Sequence, residues 1–433
     1  MSIERLTVRQ SKLSSRSVET CAEFSSVQLD GRTANGPDLR MNASARFVHL
    51  DMLRGLAALG VVLGHARGFI VVQYAAAHSD SFAVQLFYFM TGLGHQCVMA
   101  FFALSGYLVG GQALRHILAG QFCCSQYIVR RLSRLWTVLI PALFLTLGLD
   151  VAGQMIAGPA GYEGQFFNLI FSGPQTQAPA DLSISTFVAN LLFLQTIIAP
   201  AFGSNGPLWS LANEFWYYLI FPFVAEAVFG ESRAVTRAIL GCIGVVIAIL
   251  LPREMLLLGS IWIAGALANY VAGRLSHPLR IRTGALPLLT VTAGVILCIS
   301  IILDKIRPGL ASDVVLGCAF AGVLPVLSRL PDIGKIYDTV ARGLANISYT
   351  LYATHFPVLA FIWFVALAPR KLPLEQTAIL LMTAIGTAAL AVAVVMWWFF
   401  ERNTDTVRRV LERWLWTGVR ITPRNGKNPY KVV

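Results

Sequence analysis

The feature that most constrains this chain is a succession of long apolar segments separated by short polar loops. Candidate spans lie at 52–73, 84–111, 132–153, 208–229, 237–251, 255–273, 285–303, 311–328, 345–368 and 377–400. Crossing a bilayer core of about 30 Å takes roughly 20 apolar residues. Inside lipid every backbone polar group must be paired within the protein, and segments of this length satisfy that condition as helices. Composition agrees with a membrane setting: 56% of the residues are apolar and only 13% are charged, whereas soluble chains carry roughly a quarter charged residues. The expected fold class is therefore all-α, a polytopic membrane protein of about ten transmembrane helices plus one short re-entrant or interfacial helix at 186–200.

Charge placement supports not counting 186–200 as a crossing. With ten spans, 27 of the 34 Lys and Arg fall on one side. An eleventh crossing would move Arg274, Arg280 and Arg282 to the opposite side, against the positive-inside tendency. Three regions follow: a polar, disordered cytoplasmic N-terminal tail at 1–47, a transmembrane domain at 48–405, and a basic cytoplasmic C-terminal tail at 406–433. The expected location is the inner (plasma) membrane, multi-pass, with both termini cytoplasmic. The net charge of +12 then has the anionic lipid bilayer as its partner. No nucleic-acid-binding motif accompanies it, so nucleic acid is not an expected partner.

Ionisable residues inside a membrane are costly, and each is a candidate functional group. The first span reads LDMLRGLAALGVVLGHARGF. Arg54 lies near its cytoplasmic end and His65 eleven residues further, on the same helix face and about 16 Å deeper. Arg54 fits an interface anchor as well as a cation site, and His65 fits a packing hydrogen bond as well as a general base. Glu214 lies about two turns into GPLWSLANEFWYYLIFP, and Tyr349, Tyr352 and His355 recur at spacings of three in NISYTLYATHFP. The two tyrosines also suit interhelical hydrogen bonding. His95 reads as a satisfied buried histidine. Arg130, Arg131 and Arg134 form a basic cluster that suits lipid anchoring or phosphate contacts.

Absences narrow the chemistry. The chain lacks GxxxxGK[ST], GxGxxG after a strand, HExxH and GxSxG, so the usual marks of ATP-driven transport, nicotinamide redox chemistry, zinc proteolysis and α/β-hydrolase chemistry are missing. Cys123 and Cys124 are adjacent with no second pair, which is not a zinc-ligand spacing, and no metal is expected.

Six segments in order resemble acyltransferase family 3, integral-membrane enzymes that acylate bacterial surface carbohydrates. They are LDMLRGLAALGVVLGH, VMAFFALSGYLVG, YIVRRLSRLW, GPLWSLANEFWYYLIFP, ANISYTLYATHFP and FFERNTDTVRR. The resemblance implies an acyl-CoA cosubstrate, usually acetyl-CoA, reached from the cytoplasmic side, and a carbohydrate acceptor on the other. No further cofactor is implied. Arg54 and His65 take the family's essential Arg and His positions, Arg131 and Arg134 its basic pair, and Ser105 its LSG turn. Glu214 falls on the WSL glutamate and His355 on the ISY histidine. Asn403 stands where the family often has Pro, which leaves Glu401 without an assigned role. Tyr107 replaces the usual Phe, and Ala212-Asn213 is an unusual pair before Glu214.

On this resemblance His65, Arg54, Glu214 and His355 are the expected catalytic residues. Arg54, Arg131, Arg134 and Ser105 would bind acyl-CoA, with Tyr349, Tyr352 and Trp209 binding the acceptor. Polysaccharide-biosynthesis machinery would be a protein partner. Two other classes fit the intramembrane charges: a transporter or flippase for a lipid-linked glycan, and a non-catalytic partner of a polysaccharide synthase.

Overall fold

The computed structural model describes residues 47–77, 81–163, 179–275, 285–331 and 333–416. The chain forms two units. One comprises Met1–Arg46 with Cys123–Ser125, and of it only 123–125 are described; the other comprises Phe47–Phe122 and Gln126–Val433. The expected disordered N-terminal tail, most of the loop 274–284 and the end of the basic C-terminal tail lie outside the described residues.

The helices of eight residues or more are α1 (Val48–Ile70), α2 (Phe82–Thr91), α3 (Gly94–Ser105), α4 (Gly111–Leu118), α5 (Cys124–Ala157), α6 (Ile184–Leu191) and α7 (Leu208–Phe229). They continue as α8 (Ala234–Leu250), α9 (Arg253–Leu275), α10 (Ala285–Ile306), α11 (Leu310–Leu327), α12 (Lys335–Ala366), α13 (Gln376–Phe399) and α14 (Thr404–Trp416). Among the described residues there is no strand, only isolated bridges such as Val71 with Leu372. Each of the ten expected spans coincides with a helix or a helix run, and the chain is a multi-pass membrane protein. Eight are long and apolar enough to cross a bilayer by length and composition alone. Of the other two, α8 has only 17 residues, and α7 has 22 but carries Asn213 and Glu214 in its first turns. The first part of the expected C-terminal tail is helical, since α14 runs on to Trp416.

The segment expected to stop short of crossing does so. Residues 184–191 make an eight-residue helix, about 12 Å long. Ser183 caps it by accepting from the Thr186 N–H at 3.2 Å. Hydrogen bonds led by the Thr186 hydroxyl hold the neighbouring Asp181 carboxyl below the usual carboxylate range. The chain then turns through Phe193 and Thr196, both at positive φ.

Helix direction gives the same answer. Arg54 of α1 reaches the Ala345 carbonyl at 3.3 Å, and His65 meets His355 at 2.8 Å. Residues eleven apart on α1 thus meet residues ten apart on α12, so the two helices run parallel and in register. Parallel helices need an odd number of crossings between them. The second to eighth expected spans number seven, and a crossing at 186–200 would have made α12 antiparallel to α1.

Lipid removes the hydrophobic drive for helix association, so close packing through small residues takes over. The face of α1 toward α12 is built from Gly55, Ala58 and Ala66, all buried, and a Cβ on Gly55 would collide with the Leu344 side chain. In the LSG segment α3 passes into one π turn at Gly106–Gly110 before α4 begins. There Gly106 lies so close to α9 that a Cβ would overlap the Trp262 carbonyl.

Pro357 sits inside α12 and lacks the N–H that would bond the Ala353 carbonyl four residues back. Asn205 supplies the missing donor, its Nδ2 lying 2.9 Å from that carbonyl and 3.1 Å from Thr146 Oγ1. Next to it, Ser204 donates to both oxygens of the buried Asp150, through N–H at 2.6 Å and Oγ at 2.7 Å. The proline that ends the THFP motif therefore fixes the irregular loop leading into α7.

Candidate active site

The in-register packing of α1 on α12 brings His65 and His355 together. Their rings are nearly parallel, with centroids 5.1 Å apart, and Phe356 stands edge-on to His65. Hydrogen bonding assigns the protons. His355 Nδ1 lies 3.0 Å from the Leu351 carbonyl and 2.8 Å from that of Tyr352. Carbonyls only accept, so Nδ1 carries the hydrogen and His355 Nε2 is the acceptor in the neutral ring. His65 Nδ1 must then donate to it, which leaves the lone pair of His65 on Nε2.

His65 lines a cavity of about 560 Å³ whose walls also include Trp209, Asn213, Tyr352, His95, Asp313 and Glu254. His95 was expected to be satisfied and buried. It is satisfied, with Nε2 2.6 Å from Asp313 Oδ1, but its side chain is 49% exposed and forms part of the cavity wall. Tyr352 Oη is 2.6 Å from Ser210 Oγ and 3.2 Å from the Pro207 carbonyl, which pins the aromatic wall to the start of α7.

Glu214 does not reach His65. It is the hub of a second cluster between α3, α7 and α9, accepting from Ser105 Oγ at 2.5 Å and from Tyr218 Oη at 2.5 Å. Trp262 Nε1 in turn donates to Ser105 Oγ at 3.1 Å. The single Ser105 proton is thus directed at Glu214, and the hydroxyl has no second one to offer a ligand. This cluster explains why the tight LSG turn and the WSL glutamate occur together in the sequence.

The basic residues gather toward the other end of the helices. Arg131 lies over the rings of Tyr127 and Tyr218, 5.8 and 5.9 Å from their centroids, and its buried Nε has no hydrogen-bond partner among the described residues. Arg134 lies over Tyr349 at 5.9 Å and pairs with Glu401 at 3.4 Å. The other Glu401 oxygen accepts from the Thr350 hydroxyl at 2.5 Å and the Thr350 N–H at 3.3 Å. Glu401, unassigned from sequence, thus ties α5 to α12. Tyr349 donates to the Leu135 carbonyl at 3.4 Å, the interhelical bond that the sequence left open for it. Arg54 bonds Asp51 at 3.2 Å and the Ala345 carbonyl. Ala345 and Thr350 precede His355 on α12 by ten and five residues, so the arginines sit up to about 15 Å from the imidazole pair.

The family model for the acyltransferase domain matches residues 47–398, which include every residue of these clusters except Glu401. The chain belongs to acyltransferase family 3. No curated protein matches it, and no solved structure does. As a membrane acyltransferase, the protein has its two expected histidines in direct contact and its WSL glutamate bonded to its LSG serine. Its basic pair is spread over neighbouring aromatic rings.

Sequence reasoning missed Asp313, Glu254, Asn213 and Asn205. Asp313 is the most telling omission. It is an acidic residue in the first turn of an apolar helix, and the rule that such residues are functional candidates would have flagged it.

Proposed function

We propose that this acyltransferase moves an acetyl group from acetyl-CoA to a hydroxyl of a cell-surface or lipid-linked carbohydrate, with His65 as the general base. The observation that carries this reading is the contact between His355 and His65, the second of which lines the cavity. His355, anchored by two backbone carbonyls, holds His65 in the tautomer whose Nε2 accepts a proton. The acceptor oxygen attacks the thioester carbonyl as its proton passes to His65 Nε2. The C–S bond then breaks, and the CoA thiolate leaves with that proton. General bases of this kind contribute roughly 100- to 10,000-fold.

Charge separates the two substrates. Among the described residues that line the cavity there is no Lys or Arg, so the CoA phosphates gain nothing there. Arg54, Arg131 and Arg134 at the opposite end suit them. CoA then enters from the basic, cytoplasmic face of the inner membrane, and the carbohydrate from the other. Glu214 and Ser105 act as positioning residues that hold α3 against α7. Trp209 and Tyr352 form the acceptor wall, and polysaccharide-biosynthesis machinery would deliver the acceptor. Membership of an acyltransferase family favours this over glycan transport. The test is release of free CoA from acetyl-CoA by purified protein, with and without host membrane glycans. Release that requires glycan supports the reading, and glycan movement without any acyl transfer overturns it.

A further inference from the structure

The cavity also carries information about which ring receives the acyl group. Besides His65, its wall holds two carboxylates, Asp313 and Glu254, together with the half-exposed ring of His95. Nearby cations are engaged elsewhere or do not form part of the wall. Lys305 bonds the Gly92 carbonyl and acts on His95 together with Asp304, whose opposite charge offsets it; Arg67 lies 5.3 Å over Tyr88, and Arg253 and Arg307 are not among the lining residues. A protonated His95 would cancel only one of the two negative charges. Such a site repels an anionic ring. It attracts hydroxyls and amines, whose hydrogens the carboxylate oxygens accept.

Size and shape point the same way. A volume of about 560 Å³ lies within the roughly 300–1,000 Å³ of small-molecule sites. Trp209 and Tyr352 supply aromatic surface, while Asn213 and His95 add polar edges. An apolar platform flanked by hydrogen-bond acceptors suits a pyranose, which has an apolar face and a rim of hydroxyls.

We propose that the acylated ring is a neutral or amino-bearing sugar held by Asp313 and Glu254, and that rings bearing a carboxylate or phosphate are excluded. This rests on the carbohydrate-acceptor reading above. His95 then serves as the partner that orients Asp313, and the two carboxylates set acceptor specificity.

The experiment compares host cells lacking the protein with cells carrying it, or its Asp313→Asn, Glu254→Gln and His65→Ala variants. Fragmentation mass spectrometry of the surface glycans locates each acyl group that depends on the protein. The expected result is an acyl group on a neutral or amino sugar, reduced about 10- to 100-fold in Asp313→Asn and Glu254→Gln, the range for losing a hydrogen bond to a charged group. Glu254 is exposed, so Glu254→Gln leaves the packing intact even if Asp313→Asn lowers protein level. An acyl group on a uronic, sialic or phosphorylated ring, or undiminished transfer in Glu254→Gln and in a normally accumulating Asp313→Asn, overturns the proposal. If no glycan carries an acyl group that depends on the protein and on His65, the acceptor reading itself fails and the specificity falls with it.

Discussion

His65 Nδ1 and His355 Nε2 are 2.8 Å apart, and His355 Nδ1 is anchored to the carbonyls of Leu351 and Tyr352. A backbone feature of α12 therefore sets the tautomer of a side chain on α1. Replacing His355 by Ala removes the acceptor for the His65 N–H and frees the ring to rotate. The expected outcome is a fall in kcat of about 10- to 100-fold, the range for losing a buried hydrogen bond, with KM for acetyl-CoA unchanged. His355→Gln, whose carbonyl can accept the same bond, should recover part of the loss. Steady-state kinetics on the two proteins provide the comparison.

Asn205 and Pro357 form a second checkable pair. Asn205→Ala leaves the Ala353 carbonyl without its donor and should destabilise the protein by about 1–3 kcal/mol. Pro357→Ala restores a backbone N–H for that carbonyl, so in the double variant the Asn205 loss should be smaller. A double-mutant cycle on thermal unfolding in detergent reads the coupling. Strict additivity would mean that the two residues do not share the carbonyl.

Glu214 has a structural duty distinct from proton transfer. Glu214→Ala removes the charged acceptor that the Ser105 and Tyr218 hydroxyls share in the protein interior, and the melting temperature should drop. Glu214→Gln keeps a carbonyl acceptor and should melt closer to the parent protein. Equal melting of all three would remove the hub role and return Glu214 to the chemistry.

The sidedness of the bundle is open to labelling. Single cysteines at Ser183, Arg253 and Arg307 should react with an impermeant thiol reagent from one face of the membrane. Cysteines at Arg115 and Arg233 should react from the other. A cysteine at Arg233 that labels from the same face as Ser183 would contradict the parity of crossings.

Much of this organisation was legible in the sequence because lipid leaves the chain few options. Long apolar segments become helices, and the loop charges told 186–200 apart from a crossing. Motif order identified His65, His355, Glu214 and the basic pair. What it could not supply was partnership. Glu214 and His355 are both polar residues inside apolar helices, and nothing in their spacing tells that one meets Ser105 and the other His65. That depends on the register of α1 against α12 and on the close approach at Gly106. His95 and Asp313 were harder still, since they lie 218 residues apart and meet only through the packing of α3 against α11.

Two imidazoles, His65 and His95, share one cavity, and the mechanism rests on the first alone. The most direct measurement is the rate of acetyl transfer at saturating acetyl-CoA and acceptor in His65→Ala and His95→Ala, with protein level and melting temperature matched to the parent. A base role for His65 predicts that its loss lowers the saturated rate by roughly 100- to 10,000-fold. The His95 variant should retain most of that rate and show its defect in KM for the acceptor. A saturated rate that survives in His65→Ala but collapses in His95→Ala would contradict the assignment and make the His95–Asp313 pair the base.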